Sequence, residues 1–197
     1  MSADQRRVQR PRDPQARRDA LTAAVIESIA DVGIGRTTHR SVATRAGLPL
    51  GATTYYFPTL DDLVEAGLRR AAEIFDRDLT SWAERLAAAA DPATELAAIA
   101  AEYAADAVPA RLAYELSAAA MRDERLRPLA HRRLGGLREV LEAAFGRCAY
   151  AVGAVLDGAV LQALTTGVPV DREALASVVR RLTRTGDDRE PLRRDRA

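Results

Sequence analysis

This chain of 197 residues has no lysine, one cysteine and two histidines, and these shortages exclude several kinds of site. The single cysteine, Cys148, rules out an intrachain disulfide and a zinc site with several cysteine ligands. With only His39 and His131, we do not expect a metal centre built from histidines. The sequence also lacks GxSxG, a phosphate loop ending in Gly-Lys-Ser/Thr, HExxH and the Glu-x-x-His pair of di-iron bundles. We therefore expect no catalytic residues, no bound metal and no cofactor.

Aromatic residues and long apolar runs are also scarce. Aromatic residues make up 5% of the chain while hydrophobic residues make up 48%, and runs of β-branched residues are few. This profile favours an all-α fold of short helices with no sheet. No apolar run is expected to approach the roughly 18 residues that span a bilayer. The arginine-rich N-terminus has no apolar segment of a secretory signal. We expect a soluble, cytoplasmic protein with no membrane contact.

Charge is distributed unevenly along the chain. Residues 1–59 contain nine arginines and five acidic residues, whereas residues 60–197 contain twenty arginines and twenty-three acidic residues. A basic front followed by an acidic body is expected when only one part faces phosphates. Residues 1–12 hold four arginines and few apolar residues, which predicts a disordered basic arm that is either inert or attracts DNA non-specifically. Residues 186–197 alternate in charge and are expected to form a disordered tail.

The most informative segment spans residues 37–57, which predict two short helices joined by a tight turn. Thr38 is suited to cap the first of these helices, Ala43 is small enough for close helix approach, and Gly47 suits the turn. Helical periodicity places Thr53 and Phe57 inward, and we expect Tyr55 to pack and Tyr56 to reach a nucleic-acid backbone. With a preceding helix from Asp13-Pro14 to Gly33, this makes a three-helix helix-turn-helix domain over residues 13–58.

The remaining sequence predicts further helices, for about nine in total. A Thr59 cap begins one long helix that runs from the small domain into the large one. Asp91-Pro92 begins a helix that should reach Val108, where Pro109 is expected to end it. Later helices are predicted up to Met121, from Pro128 to Gly146, through the apolar residues 148–166, and from Asp171 to Thr185. Residues 59–185 are thus expected to form a helical effector-binding and dimerisation domain.

Residues 17–66 resemble the DNA-binding domain of TetR-type bacterial transcriptional regulators. The resemblance rests on Thr37-Thr38, Val42-Ala43, Ala46-Gly47-Leu48, the run from Gly51 to Phe57, and Asp61-Asp62-Leu63. Beyond this segment, the similarity is one of helix number and order. The resemblance implies a ligand-responsive regulator, a repressor in most relatives, that binds a palindromic operator as a homodimer and is released by a small-molecule effector. The alternative is a helical bundle that binds a ligand or partner without sequence-specific DNA recognition.

The resemblance also implies which residues contact DNA. The candidates at the start of the second helix and on the exposed face of the third are Thr38, His39, Arg40, Leu50, Gly51, Ala52, Thr54 and Tyr56. Arg40 has the chemistry to bind guanine or phosphate, and the alternative for it, and more so for Arg45, is an ordinary solvated charge. The family often has leucine where Thr53 stands, tyrosine where Thr54 stands and lysine near Leu60. Affinity is therefore expected to depend more on Arg40, Arg45 and the arm.

Two further sets of candidates lie in the large domain. An effector pocket could be built from aromatic and polar residues that could also be plain core: Trp82, Tyr103, Tyr114, Met121 and Gln162, with Phe75 and His131 as further candidates. The two C-terminal helices are expected to dimerise through an apolar set: Val155, Leu156, Ala159, Leu161, Val178 and Leu182.

Overall fold

The computed structural model describes residues 13–187. Over these residues the chain forms nine α-helices and three short 3₁₀ turns, with no β-strand, so the all-α prediction is confirmed. The basic arm at residues 1–12 and nearly all of the tail at residues 186–197 lie outside the described residues. The helices are α1 (Pro14–Val32), α2 (His39–Arg45), α3 (Leu50–Tyr56), α4 (Leu60–Ala88), α5 (Pro92–Ala105), α6 (Ala107–Ala120), α7 (Arg127–Phe145), α8 (Ala149–Thr166) and α9 (Arg172–Asp187).

The chain divides into two compact units, Met1–Ala71 and Ala72–Ala197. The division falls within α4, which is one continuous helix of 29 residues. The predicted functional boundary was placed before this helix, at residue 58. The assignment of DNA binding to the first part and of effector binding to the second remains a prediction.

The first unit is organised by helix caps and a small apolar core. The Asp13 carboxylate accepts a hydrogen bond from the backbone N–H of Gln15 at 3.0 Å, and Pro14 follows at the first helical position. Its core consists of side chains from α1 to α4 that are almost fully buried: Leu21, Val25, Ile29, Val42, Leu48, Phe57, Leu63 and Leu68. Val32, the last residue of α1, is 39% exposed.

The second unit packs α5 and α8 at its centre, with α4, α6, α7 and α9 against them. A break separates α5 from α6, as predicted, but it does not occur at the predicted residue. The break occurs at Asp106, and Pro109 lies within the first turn of α6. Proline is tolerated there because backbone N–H groups in the first turn have no partner within the helix.

The expectation that no apolar run approaches membrane-spanning length is wrong. Residues Glu124–Thr166 contain an 18-residue window with a hydropathy of 1.4, long and apolar enough to cross a membrane by length and composition alone. The stretch is broken at Gly146, whose φ of 53° separates α7 from α8. Helix α8 is apolar because it has two apolar faces. Val152, Leu156 and Val160 enter the core, and another face lines an outward groove with α9.

Candidate DNA-binding face and effector cavity

The N-terminus of α2 is held by a reciprocal capping box. The Ser41 backbone N–H donates to Thr38 Oγ1 at 3.1 Å, and the Thr38 N–H donates to Ser41 Oγ at 3.0 Å. Gly47, with φ of 65°, then turns the chain toward α3, a conformation that favours glycine. The Leu48 N–H donates to the Ala43 carbonyl at 3.0 Å, which closes the turn. The sequence therefore produces a helix-turn-helix through local hydrogen bonds, as predicted.

Arg40 and Arg45 lie on the same short helix but have different surroundings. Arg45 forms ion pairs with Asp31 at 2.5 Å and Glu27 at 3.4 Å, both on α1, and these interactions raise its pKa. Arg40 is exposed and has no ion pair among the described residues. Arg45 is thus a structural charge that joins α2 to α1, and Arg40 is the guanidinium of α2 that remains available to an anion.

Helix α3 turns small and aromatic side chains outward. Leu50 is 43% exposed, Gly51 and Thr54 are exposed, and Ala52 is half-buried. The expectation that Tyr55 packs is wrong, because 79% of its surface is exposed. We define the α2–α3 face by its most exposed members: Thr38, Arg40, Leu50, Gly51, Thr54 and Tyr55. Helical periodicity in fact places Tyr55 opposite the inward-facing Thr53 and Phe57, in agreement with its exposure.

The remaining first-unit candidates differ in accessibility. Tyr56 is half-buried and lies edge-on to Tyr55, with ring centroids 5.0 Å apart. His39 is half-buried, and its Nδ1 has no hydrogen-bond partner among the described residues. Thr53 is fully buried, and its hydroxyl donates to the Leu50 carbonyl at 2.6 Å. This bond satisfies a hydroxyl at a position where an apolar residue is usual, so Thr53 supports α3 from inside.

Three of the predicted effector residues meet in one cavity of the second unit. The cavity has a volume of about 20 Å³ and is lined by Trp82, Tyr103 and Tyr114, together with Phe75, Arg133 and Asp157. The rings of Phe75, Trp82 and Tyr103 are tilted or edge-on to one another, with centroids 5.3 to 6.0 Å apart. A cavity of this size holds about one water molecule. The aromatic cluster therefore fills most of the space that a ligand would occupy.

Two charged side chains, Arg133 and Asp157, lie among the aromatic residues of the cavity. Arg133 is 6% exposed, its Nε–H has no partner within the described residues, and its guanidinium lies 5.7 Å from the Phe75 ring centroid. Burial raises the pKa of Asp157, and the nearby Arg133 opposes that shift. Burial also raises the pKa of Tyr114 to about 12, and its hydroxyl donates to the Asp157 backbone carbonyl at 2.8 Å. Composition could not identify Arg133 as a cavity residue, since it is one of many arginines.

Two predicted effector residues lie away from this cavity. Met121 is 75% exposed because it follows the last residue of α6. Gln162 is exposed and lines the outward groove between α8 and α9. The predictions of Met121 and Gln162 as cavity residues are therefore corrected. His131, which was a further candidate, is exposed and does not line the cavity.

The predicted dimerisation residues divide into inward and outward sets. Leu156 is 6% exposed and lines the cavity, so its prediction as an interface residue is wrong. Val155, Ala159 and Val178 line the outward groove between α8 and α9. Leu161 is 47% exposed, whereas Leu182 packs partly against the core. The outer surface of α8 and α9 is therefore apolar, and Leu156 is not part of it.

Comparison with known proteins identifies the family. Residues 87–185 match the family described as tetracyclin repressor-like, C-terminal domain. The HTH-type transcriptional regulator BetI of Burkholderia ambifaria is 32% identical over 179 residues, covering 81% of this chain and 88% of that protein. The chain belongs to the TetR family of transcriptional regulators. This confirms the family predicted from residues 17–66. The BetI relatives are HTH-type transcriptional regulators.

Solved structures of TetR-family proteins share the fold. A family member from Streptomyces coelicolor has a TM-score of 0.73 at 40% identity, covering 84% of this chain and 97% of that chain. The multidrug binding protein EbrR in complex with proflavin has a TM-score of 0.68 at 41% identity, covering 84% of this chain and 99% of that chain. EbrR is also known in complex with ethidium and with malachite green.

Proposed function

We propose that this TetR-family regulator is a cytoplasmic repressor that binds a palindromic operator as a homodimer and leaves it when a small molecule occupies the second unit. The observation that carries the DNA-binding part is the α2–α3 face. It combines Arg40, which forms no ion pair among the described residues, with the exposed side chains of α3, the second helix of the helix-turn-helix. The second helix of such a motif enters the major groove of DNA.

The residues of the α2–α3 face suggest how this contact is divided. Arg40 can bind guanine O6 and N7 or a phosphate oxygen. Leu50, Gly51 and Thr54 offer an apolar contact, a close backbone approach and one hydroxyl. Base discrimination by α3 would then rest on shape and methyl contacts more than on long polar side chains.

The outer surface of α8 and α9 supports dimerisation. Leu161 and Val178 are apolar and 47% and 38% exposed, and the groove beside them is lined mainly by apolar residues. A two-fold interface presents the same surface from both copies. It would place two α3 helices on successive major grooves, which is why a palindromic operator is expected.

Effector release is supported by the cavity and by the continuity of α4. Phe75 and Trp82 lie on α4, so a ligand that displaces these rings acts directly on this helix. A ligand that favours the displaced arrangement shifts the population toward it. Since α4 continues into the first unit, movement of its second half would change the spacing of the two α2–α3 faces in a dimer.

The proposal is tested by selecting binding sites from random duplex DNA and then comparing two arginine variants. Arg40→Ala should weaken operator binding by about 1–3 kcal/mol with little change in unfolding free energy. Arg45→Ala is the matched control: it removes the same charge from α2 but breaks ion pairs to α1. It should leave operator affinity nearly unchanged and lower stability by about 0.2–1 kcal/mol.

Two results would contradict the DNA-binding assignment. Folded protein that enriches no sequence motif would favour a helical bundle without sequence-specific DNA recognition. Equal loss of operator affinity in both arginine variants, at matched salt, would show that Arg40 has no contact of its own.

A further inference from the structure

Arg133 is a buried charge of the second unit that forms no ion pair among the described residues. It is 6% exposed, and the only hydrogen bond that its guanidinium donates within the described chain goes to Ser117 Oγ, at a distance of 3.3 Å. An arginine side chain stays charged at all physiological pH values, so burial cannot neutralise it. Burying a charge without a directly hydrogen-bonded counter-charge is unfavourable. Asp157 lies near enough to interact electrostatically with Arg133, but no ion pair joins the two among the described residues. An anion that entered the cavity could pair with the guanidinium directly.

The geometry of the cavity favours a flat ligand. Phe75, Trp82 and Tyr103 contact one another with centroids 5.3 to 6.0 Å apart, and the cavity of about 20 Å³ admits no ligand without displacing them. A planar aromatic ligand would replace the contacts between these rings with contacts of the same kind. Bulky aliphatic ligands would lose those contacts without replacing them.

From these two observations, we propose that the effector is a planar aromatic acid whose carboxylate pairs with Arg133 while its ring replaces part of the Phe75, Trp82 and Tyr103 cluster. This inference rests on the proposed effector function and names its ligand class. A planar carboxylate matches the forked donors of a guanidinium, including the unpaired Nε–H. Arg133 already lies above the Phe75 ring, so the anion-binding group and the aromatic cluster are adjacent.

Asp157 is the one acidic residue that lines the same cavity. Its carboxylate would repel a ligand anion, and burial already favours its neutral form by raising its pKa. An aromatic cation would meet the opposite arrangement, attracted by Asp157 and repelled by Arg133. Removing the charge of Arg133 and removing the charge of Asp157 should therefore have opposite effects on the affinity for an aromatic carboxylate.

The experiment uses naphthalene-2-carboxylate, its neutral analogue naphthalene-2-carboxamide, and the cation proflavin. Binding is measured by calorimetry on the full chain, and emission from Trp82, the only tryptophan, reports whether the cavity is occupied. The carboxylate should bind about 10- to 100-fold more tightly than the carboxamide, the range of a charged hydrogen bond. Arg133→Gln should abolish that preference, and Asp157→Asn should strengthen carboxylate binding. Arg132→Gln, which removes a neighbouring exposed arginine paired with Asp76, should have no effect.

Each outcome decides the proposal. Equal binding of carboxylate and carboxamide, tighter binding of proflavin, or no carboxylate binding at millimolar concentration would overturn it. If Arg133→Gln does not fold, the Asp157→Asn variant still tests the proposal. Unchanged or weaker carboxylate binding by that variant would overturn it. Operator release is measured separately on the selected DNA. If the carboxylate binds but the protein does not release the operator, the proposed ligand class is supported and the proposed effector function is contradicted.

Discussion

Two adjacent glycines on α7 should respond in opposite ways to the same substitution. A Cβ added at Gly136 would lie 2.7 Å from Leu79 Cδ1 on α4, whereas a Cβ added at Gly135 would meet nothing within 4 Å. Both positions are inside the same helix of the same unit. The gain in helix propensity from glycine to alanine is therefore similar, about 1 kcal/mol. The difference between the two variants isolates the cost of accommodating the new Cβ against Leu79, by movement of that side chain or of α7.

The expected cost follows from how little room the contact leaves. Carbon atoms in contact normally lie about 3.5–4.0 Å apart, so α7 or Leu79 would have to move by about 1 Å. Leu79 is 6% exposed and part of the core, which restricts that movement. Overpacking of this kind costs about 1–3 kcal/mol. Gly135→Ala should stabilise the protein by about 1 kcal/mol, and Gly136→Ala should destabilise it by about 0–2 kcal/mol.

The same contact bears on the cavity. Arg133 lies one turn before Gly136 on α7, and Phe75 lies one turn before Leu79 on α4, so the two contacts are neighbours. Separation of the helices should move the Arg133 guanidinium off the Phe75 ring. Gly136→Ala, but not Gly135→Ala, should therefore change the emission of Trp82, which packs on Phe75.

The assay is urea unfolding of both variants at one fixed protein concentration, because association would shift apparent stability. The urea midpoints of the two variants should move in opposite directions, or their free energies of unfolding should differ by about 1–3 kcal/mol. The dependence of the unfolding free energy on urea concentration should not change. Equal shifts in both variants, with unaltered Trp82 emission, would refute the argument that close approach of α7 to α4 positions Arg133.

Three further predictions concern the other surfaces. Leu161→Arg should yield monomers by light scattering and weaken operator binding, whereas Met121→Arg, at a more exposed apolar position outside the α8–α9 surface, should leave the dimer intact; a Leu161 variant that stays dimeric would show that the interface lies elsewhere. Tyr55→Ala should weaken operator binding while changing unfolding free energy by less than about 0.5 kcal/mol, and unchanged affinity would remove Tyr55 from the DNA contact. The ion pair with Arg180 lowers the pKa of Asp91 from 3.8 to about 2, so it stabilises the fold above pH 4 and is lost as pH falls toward 2. Asp91→Asn should therefore flatten the fall in melting temperature over that interval, and an unaltered slope would contradict the pairing.

The sequence predicted the fold well where the signals are local. Caps such as Asp13, Thr38 and Asp91, and the glycines at 33, 47 and 146, fix helix ends through bonds to residues a few positions away. The misplaced break before α6 shows where such signals fail, since proline is compatible with both the end of one helix and the first turn of the next. Helix order was therefore predictable, while one boundary moved by three residues.

The candidate sites were less predictable because they depend on which side chains meet. Trp82, Tyr103 and Tyr114 were identified by residue type, but Met121 has similar chemistry and is exposed. Leu156 and Leu161 lie on the same apolar helix, five residues apart, and only the structure shows which one enters the core. On α8, the spacing of apolar residues does not indicate which face enters the core, because two of its faces are apolar.

The two arginine pairs carry the strongest functional argument. Arg40 and Arg45 share a helix, and Arg132 and Arg133 are consecutive, yet among the described residues one guanidinium of each pair forms an ion pair with a carboxylate and the other does not. In a chain whose 29 basic residues are all arginine, the presence of an arginine indicates little. Position and pairing together are more informative: Arg40 is exposed on the α2–α3 face, and Arg133 is buried beside the cavity. Pairing, which the sequence does not reveal, thus distinguishes Arg45 and Arg132, which link helices through ion pairs, from the two arginines that we propose contact DNA and a ligand.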